Sequence, residues 1–437
     1  MSTTSAQLSS ITSAKSRHFS RSSANFSSTE NAISTNSGCL LPERFLLLQK
    51  ITIMAYLKAS ADHVVPVWWT AFWQLLPKGS LAVLAWVLCS LPALALEMRI
   101  AIQEEANQVV VGTSNTGIIR NQQGQHIAQV PQGRSLTVAA QGGQVKAANS
   151  VSSSFWVEPG ANGYVFIGDR WYRGRVLVMS SGSGVTAINY VDLEHYLYSV
   201  VGSEMPASWP LEALKAQAVA ARSYALHRRS QSRSPHYDVG STTAYQVYGG
   251  LAEETQSTQA AVEGTRSQVL TYSGQVIEAV FHSSSGGHTE NVEDIWSQPR
   301  PYLRGVQDFD AGAPVFEWVR TFSSDEFSRM MPDVGRLISA LPQRTTPRGR
   351  VREILLEGDR GARTFTGNDF RNALGLRSTL FSISVAGDSV QISGRGFGHG
   401  IGMSQWGAHN MASQGYTYQQ ILGHYYQGAQ LALVEPH

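Results

Sequence analysis

Cysteine is nearly absent from this sequence: there are two residues, Cys39 and Cys89, both in the first hundred positions. Beyond Cys89 there is none, which excludes disulfide staples and thiolate metal sites from most of the chain. Charge is also sparse, with 15% Asp, Glu, Lys and Arg and a net charge of +2. So even a balance removes the electrostatic case for a nucleic-acid partner, which needs a basic face. Long apolar runs are missing apart from Leu81–Leu91, and that run is short for a membrane span unless its flanks extend it. Glycine, in contrast, is plentiful. Forty of 437 residues point to turn-rich, partly β structure, and the length leaves room for two or three domains.

Residues 1–53 are rich in Ser, Thr and Asn, without apolar periodicity beyond Leu40–Leu48. This is the composition of a disordered extension, and it suits a start codon read too early, since Met54 opens a more ordinary export signal. From Met54, the basic residues Lys58 and Lys78 precede the apolar run, and Ala93-Leu94-Ala95 supplies a small-x-small site. The pattern over 54–95 predicts a secretory signal peptide cut after Ala95, or a membrane anchor if it stays uncut. Membrane contact is expected only in the second case.

Short β-branched segments follow, among them MRIAI, QVVVGT, SLTVAA and RVLVMSS, separated by Gly-containing turns. They predict a β-rich module over 96–190. The stretch 191–437 mixes helix and strand patterns, so the expected class is α+β: a β-rich N-terminal module joined to a mixed α/β core. Its most regular part runs from Val200 to His227. DLEHYLYS (192–199) reads as a short helix, followed by a polar turn that presents Glu204. Pro206 and Pro210 bracket the start of a second helix, with Ser208 as N-cap and Glu212 in the first turn. Leu211, Leu214, Ala218, Ala221 and Ala225 recur at steps of three and four, one buried face. A carboxylate in a tight turn ahead of a rigid helix suits an acid fixed in a cleft. Simple capping of the helix by Glu204 is the alternative.

Further on, Ser273-Gly274 marks a hairpin whose second strand delivers His282, Ser283, Ser284 and Ser285 to a Gly286-Gly287 turn. An amphipathic helix is expected near Asp325–Leu341. In GRGFGHGIG, glycine occupies 394, 396, 398, 400 and 402, and at the strand period of two this leaves one face without side chains. Either a ligand or a neighbouring strand in a tight core could fill that face. Helices over Ser404–Gln414 and Thr417–Gln427 follow, the latter opened by the capping box Thr417-x-x-Gln420.

SEMPASWPLEALKAQAVAARSYA, around Glu204, resembles the signature of the stage II sporulation protein D and amidase-enhancer family of bacterial cell-wall proteins. Three further blocks agree in order: FHSSSGGHTENVEDIWSQPRPYLRGVQDFD (281–310), FTGNDFRNALGLRSTLFSI (365–383) and GRGFGHGIGMSQWGAHNMASQGYTYQQILGHYYQG (394–428). With a weaker match before Val200, the resemblance covers nearly everything from about residue 98 onward. It implies a glycan-binding cleft and an exported lytic transglycosylase of the periplasm or cell envelope. Such an enzyme cuts peptidoglycan strands stripped of stem peptides to 1,6-anhydro-muramic ends. The other activity it implies is a non-catalytic, glycan-binding enhancer of a cell-wall amidase. Glycan strands and such an amidase are thus the implied partners.

The first activity needs a single acid/base, and the resemblance points to Glu204, which Val201 and Met205 could desolvate. A hydrolase would need a second carboxylate, for which Glu194, Glu290, Glu293 and Asp294 compete. Gln217 and Arg222, off the apolar stripe of their helix, are candidates to hydrogen-bond a sugar. His282, Ser283, Ser284, Ser285 and Gly286, with Trp296, His399, Gln405 and Trp406, could line a glycan cleft. The bare face carrying Gly398 and Gly400 is expected to lie beside Glu204. In many family members the region matching 232–250 carries a cysteine pair, which in some binds zinc. Here the matching positions are Gly240 and Tyr245, so no metal is expected, and no cofactor.

Overall fold

A computed structural model of the protein describes residues 96–296 and 298–434. The extension over 1–53, the leader over 54–95 and both cysteines lie outside the described residues. Strands and helices are both present, and the class is α+β.

Twelve strands lie between Glu97 and Asp192. They belong to a seven-stranded and a six-stranded sheet, and the seven-stranded one gains its edge strand from Val239–Gly240, paired in parallel with Ile100 and Ala101. Alternation puts Val109 and Val111, Val176 and Val178, and Met98 and Ile100 inside, as the pleat requires. Their hydrophobic core continues past residue 190 into the helices, through Tyr196, Leu197, Leu214 and Val219.

Asp192 caps α1 (Leu193–Glu204) by accepting from the backbone N–H groups of Glu194 and His195. The helix runs further than the short one expected over 192–199. Nothing in VVGSE breaks it until Pro206, which forces Met205 into an extended conformation (φ −134°, ψ 140°). Glu204 is therefore the last residue of a helix rather than part of a tight turn. Then α2 (Leu211–Gln231) starts from Pro210, with no side-chain cap from Ser208. Burial on α2 covers more than one face: Ala213, Leu214 and every residue from Ala216 to Ala225 are buried, while Leu211 is exposed. Alanine makes this feasible, because α1 and the helices Gln256–Glu263, Gln405–Ser413 and Tyr418–Tyr425 all pack against α2.

The Ser273-Gly274 hairpin forms as expected, with φ of 50° and 77° at its two turn residues. So does the Thr417/Gln420 capping box. The amphipathic helix near Asp325–Leu341 does not. A helix covers only Ser324–Met330, Pro332 and a left-handed Gly335 end it, and Leu337–Thr345 is a strand. This part of the chain builds a second hydrophobic core, centred on Phe322, Phe327, Ile354, Phe370 and Ile392, between two three-stranded sheets.

The glycine-alternating segment also departs from expectation. The strand Ser389–Arg395 stops before it, and Gly396, Gly398, Gly400 and Gly402 take φ of 75°, 113°, 80° and 69°. Alternating left-handed residues coil the backbone, so there is no flat strand with one empty face. The segment lies along Phe281–Gly286, where Ser284 and Phe397 exchange backbone hydrogen bonds at 3.0 and 2.8 Å.

Candidate active site

Glu204 ends α1 between the buried side chains of Val201 and Met205. Its Oε1 accepts from the backbone N–H of Val247 at 3.0 Å, and its Oε2 from the Gln405 amide at 3.4 Å. Burial raises the carboxyl pKa above its ordinary value, and these two donors only partly oppose the shift. A position at the C-terminal end of a helix acts in the same direction as burial.

The segment that supplies the Val247 donor is pinned from several sides. Gln246 accepts from the Tyr196 hydroxyl at 3.2 Å and donates to the carbonyl of Ala221 at 3.2 Å. Tyr248 donates to Asn189 at 2.8 Å, and the Gly249 N–H donates to Ser203 at 3.3 Å. The Tyr245 ring lies 3.1 Å from where a Cβ on Gly240 would stand. Neither residue is a zinc ligand, and the ring fills the space a metal would need, so this pair does not fit a zinc site.

The carboxyl opens into a cavity of about 270 Å³, lined also by Tyr224, Thr243, Tyr245, Phe281, Trp296 and His399. No other carboxylate is among the lining residues. Trp296 and His399 face each other with ring centroids 5.4 Å apart. The Ile401 N–H donates to His399 Nδ1 at 3.1 Å, so Nε2 carries the hydrogen and donates to the carbonyl of Phe281 at 2.9 Å. Burial pushes this imidazole down to about 4 and the Tyr224 hydroxyl up to about 12. Both are neutral at neutral pH, and Glu204 is the one carboxyl among the lining residues. A larger cavity of about 420 Å³ lies against the sheet of the second core, lined by residues such as Glu317, Ser382 and Arg395. Size alone does not mark a site.

Glu204, Trp296 and His399 thus meet in one cavity, and Gln405 holds the acid from its edge. Trp406 is next in sequence, fixed by its backbone N–H to the carbonyl of Ser283 at 3.0 Å. The other candidates do not line that cavity. His282 is buried behind His399, its Nδ1–H donating to Ile401. Ser284 and Ser285 are buried and donate to Asp310 and Asp308 at 2.5 and 2.6 Å, and the Gly286 N–H also donates to Asp310. These bonds stitch the 282–287 turn together and commit the hydroxyl protons, and burial keeps both side chains from solvent. Gln217 and Arg222 are fully buried, and Arg222 forms a two-point pair with Glu194. Both had been placed off the apolar face, but α2 has no solvent face over 216–225. Gly398 and Gly400 do not present an empty face either. A Cβ on Gly398 would stand 2.8 Å from His282, and one on Gly400 would collide with the Arg350 guanidinium.

The competing carboxylates are engaged elsewhere. Glu194 pairs with Arg222 and Glu293 with Arg304, while Glu290 accepts from Thr346 and Asp294 from Asn291.

The profile of the family described as "Stage II sporulation protein" matches residues 181–272, which span α1, the acid, α2 and the loop that holds it. Stage II sporulation protein D of Bacillus subtilis (strain 168) is 38% identical over 264 residues, 56% of this chain and 76% of that protein. Its namesake from Bacillus amyloliquefaciens is 35% identical over 269 residues, with 56% and 76% covered. The chain belongs to the stage II sporulation protein D family. An amidase enhancer of Bacillus subtilis (strain 168) is also similar, at 32% over 290 residues, 54% of this chain and 40% of that protein.

In this member of the stage II sporulation protein D family, residues that sequence reasoning missed complete the cavity: Tyr224, Thr243, Phe281 and the Val247 N–H. Tyr224 lies three residues beyond Ala221, on the buried helix, and no local pattern sets it apart. A backbone donor carries no residue-type signature at all.

Proposed function

We propose that this protein is an exported peptidoglycan lytic transglycosylase with Glu204 as its single acid/base. Membership of the stage II sporulation protein D family supports a role at the cell wall. The observation that carries the finer reading is one carboxyl with a raised pKa in a cavity that no second carboxylate lines. A hydrolase divides the work between two carboxylates, whereas a lytic transglycosylase uses one group twice. Protonated Glu204 gives its proton to the glycosidic oxygen as the C1–O bond breaks. The resulting carboxylate takes a proton from the C6 hydroxyl of the same muramic ring, and that oxygen closes on C1. A 1,6-anhydro end forms, no water is consumed, and Glu204 returns protonated. Export rests on the leader pattern over 54–95.

A second reading, a glycan-binding enhancer of a cell-wall amidase, is favoured by the similarity to the amidase enhancer. Mass spectrometry of purified, peptide-free glycan strands after incubation separates the readings. Anhydro ends support the transglycosylase, reducing ends a hydrolase, and unchanged strands the enhancer.

A further inference from the structure

The cavity beside Glu204, at about 270 Å³, lies below the ~300–1,000 Å³ of ordinary small-molecule pockets. A glycan strand is longer than a cavity of this size, so a strand cut at Glu204 has to continue over other surface. The Gln405 side of the carboxyl offers a built one. Trp406 follows Gln405, and Trp209 lies five residues after Glu204 in the turn before α2. Their ring centroids are 4.7 Å apart, and His409 completes a triangle at 4.8 Å from Trp209 and 5.2 Å from Trp406. All three rings are only partly buried. They meet at 57–63°, so they touch edge to face and do not cover one another's faces.

Their polar atoms are also uncommitted. The buried Trp318 donates its indole N–H to the carbonyl of Gly396 at 3.0 Å. Among the described residues, neither Trp209 nor Trp406 has a protein acceptor for its indole N–H. The Asn410 amide nitrogen donates to Phe309, so its oxygen accepts from His409 Nδ1 at 2.9 Å, and His409 Nε2 is left as an acceptor. Apolar ring faces beside unused donors and an acceptor match a pyranose, which has a C–H face and equatorial hydroxyls. The cluster is held firmly: Trp406 by its backbone bond to Ser283, and Trp209 between Pro206 and Pro210 with its backbone N–H on the Pro206 carbonyl.

We infer that Trp209, Trp406 and His409 form a second sugar subsite, which stacks a further ring of the same glycan strand on the Gln405 side of Glu204. The inference rests on the proposed glycan-cleaving role and gives that site a minimum substrate length.

The test uses the full chain carrying Glu204→Gln, which cannot turn over, and chitin tri- and hexasaccharides as probes in calorimetric titrations. The hexasaccharide should bind more tightly than the trisaccharide. Adding Trp209→Ala should remove about tenfold of that gain, the scale of one lost aromatic contact, with trisaccharide binding unchanged and Trp209→Phe restoring most of it. Equal hexasaccharide affinity with and without Trp209, or an equal loss for both probes, overturns the subsite. Should Trp209→Ala fail to fold, the indole N–H resonances of the Glu204→Gln chain decide instead. Trp209 and Trp406 must shift with the hexasaccharide and not with the trisaccharide, and an unmoved pair overturns it equally. Length-dependent binding through Trp209 in a chain that never yields anhydro ends would sink the transglycosylase reading and leave the subsite standing.

Discussion

At the scale of single residues, Glu204 is the proposed acid, and burial raises its carboxyl pKa. Glu204→Gln keeps shape and hydrogen bonding but removes the proton. Cleavage of glycan strands should fall by ~10²–10⁴-fold, the usual loss of general acid–base catalysis, with binding retained. Release of anhydro products at the native rate would refute the assignment. The raised pKa also has a consequence for stability. The folded protein holds this proton more tightly than the unfolded chain does. Its stabilising contribution is therefore full below the unfolded carboxyl pKa and is lost as pH rises through the folded one. Thermal midpoints of Glu204→Gln and the unsubstituted chain should diverge in favour of Gln as pH rises through that range, and parallel curves would mean no shift. Gly400 tests the glycine segment at the same scale. With φ of 80° and Arg350 against the missing Cβ, Gly400→Ala should cost at least about 1–3 kcal/mol of stability, read by denaturant unfolding. An unchanged midpoint would restore the open, substrate-facing strand.

At the scale of elements, α2 is the buried axis, and its one fully buried charge is tied to α1. Arg222 donates to Glu194 and to the carbonyl of Gln268, and the Ser267 N–H also donates to Glu194. Arg222→Ala would leave Glu194 unpaired in the core and should cost ~3–5 kcal/mol. Replacing both residues with apolar side chains of similar volume should recover most of the loss. If Arg222→Ala instead weakened glycan binding in a protein of unchanged stability, Arg222 would be a sugar ligand after all. The loop over 239–250 is held by Gln246, Tyr248 and the Tyr245 ring on Gly240. Elemental analysis should accordingly find no stoichiometric zinc, and a chelator should leave activity unchanged.

At the scale of the whole molecule, two hydrophobic cores share one chain. The larger joins the β-sheets to the helices around Glu204, and the smaller lies within residues 318–392. Polar contacts run between them. The buried Arg350, beside the smaller core, donates to the Ser285 carbonyl at 2.6 Å in the larger. It faces Glu290 at 3.9 Å. Phe370 is fully buried in the smaller core, and Phe370→Ala should cost ~3–5 kcal/mol there. Calorimetry should then show a separate low-temperature transition, because no apolar side chain is common to the two cores. A single transition, shifted as a whole, would mean that the contacts between them, among them those of Arg350 and the Thr346–Glu290 hydrogen bond, make the cores cooperate.

Local chemistry was legible in the sequence. The β-branched runs, the hairpin at Ser273-Gly274 and the Thr417 capping box each act over a few residues, and each formed. The proposed acid stood out in the sequence because its flanking motif is contiguous. Contacts between distant segments were not legible. Periodicity gave α2 an exposed side, but helices from three other parts of the chain cover it, and so Arg222 and Gln217 are core residues. The same cause turned Ser284 and Ser285 toward Asp310 and Asp308, more than twenty residues away. Period-two glycines read as a flat strand because spacing does not report φ. Only packing against 281–286 and Arg350 required the left-handed turns that glycine alone adopts freely. The sequence by itself determined which residue could act as the acid. Tertiary structure decided what surrounds it: a backbone donor from residue 247, an amide from residue 405, and burial that raises the carboxyl pKa.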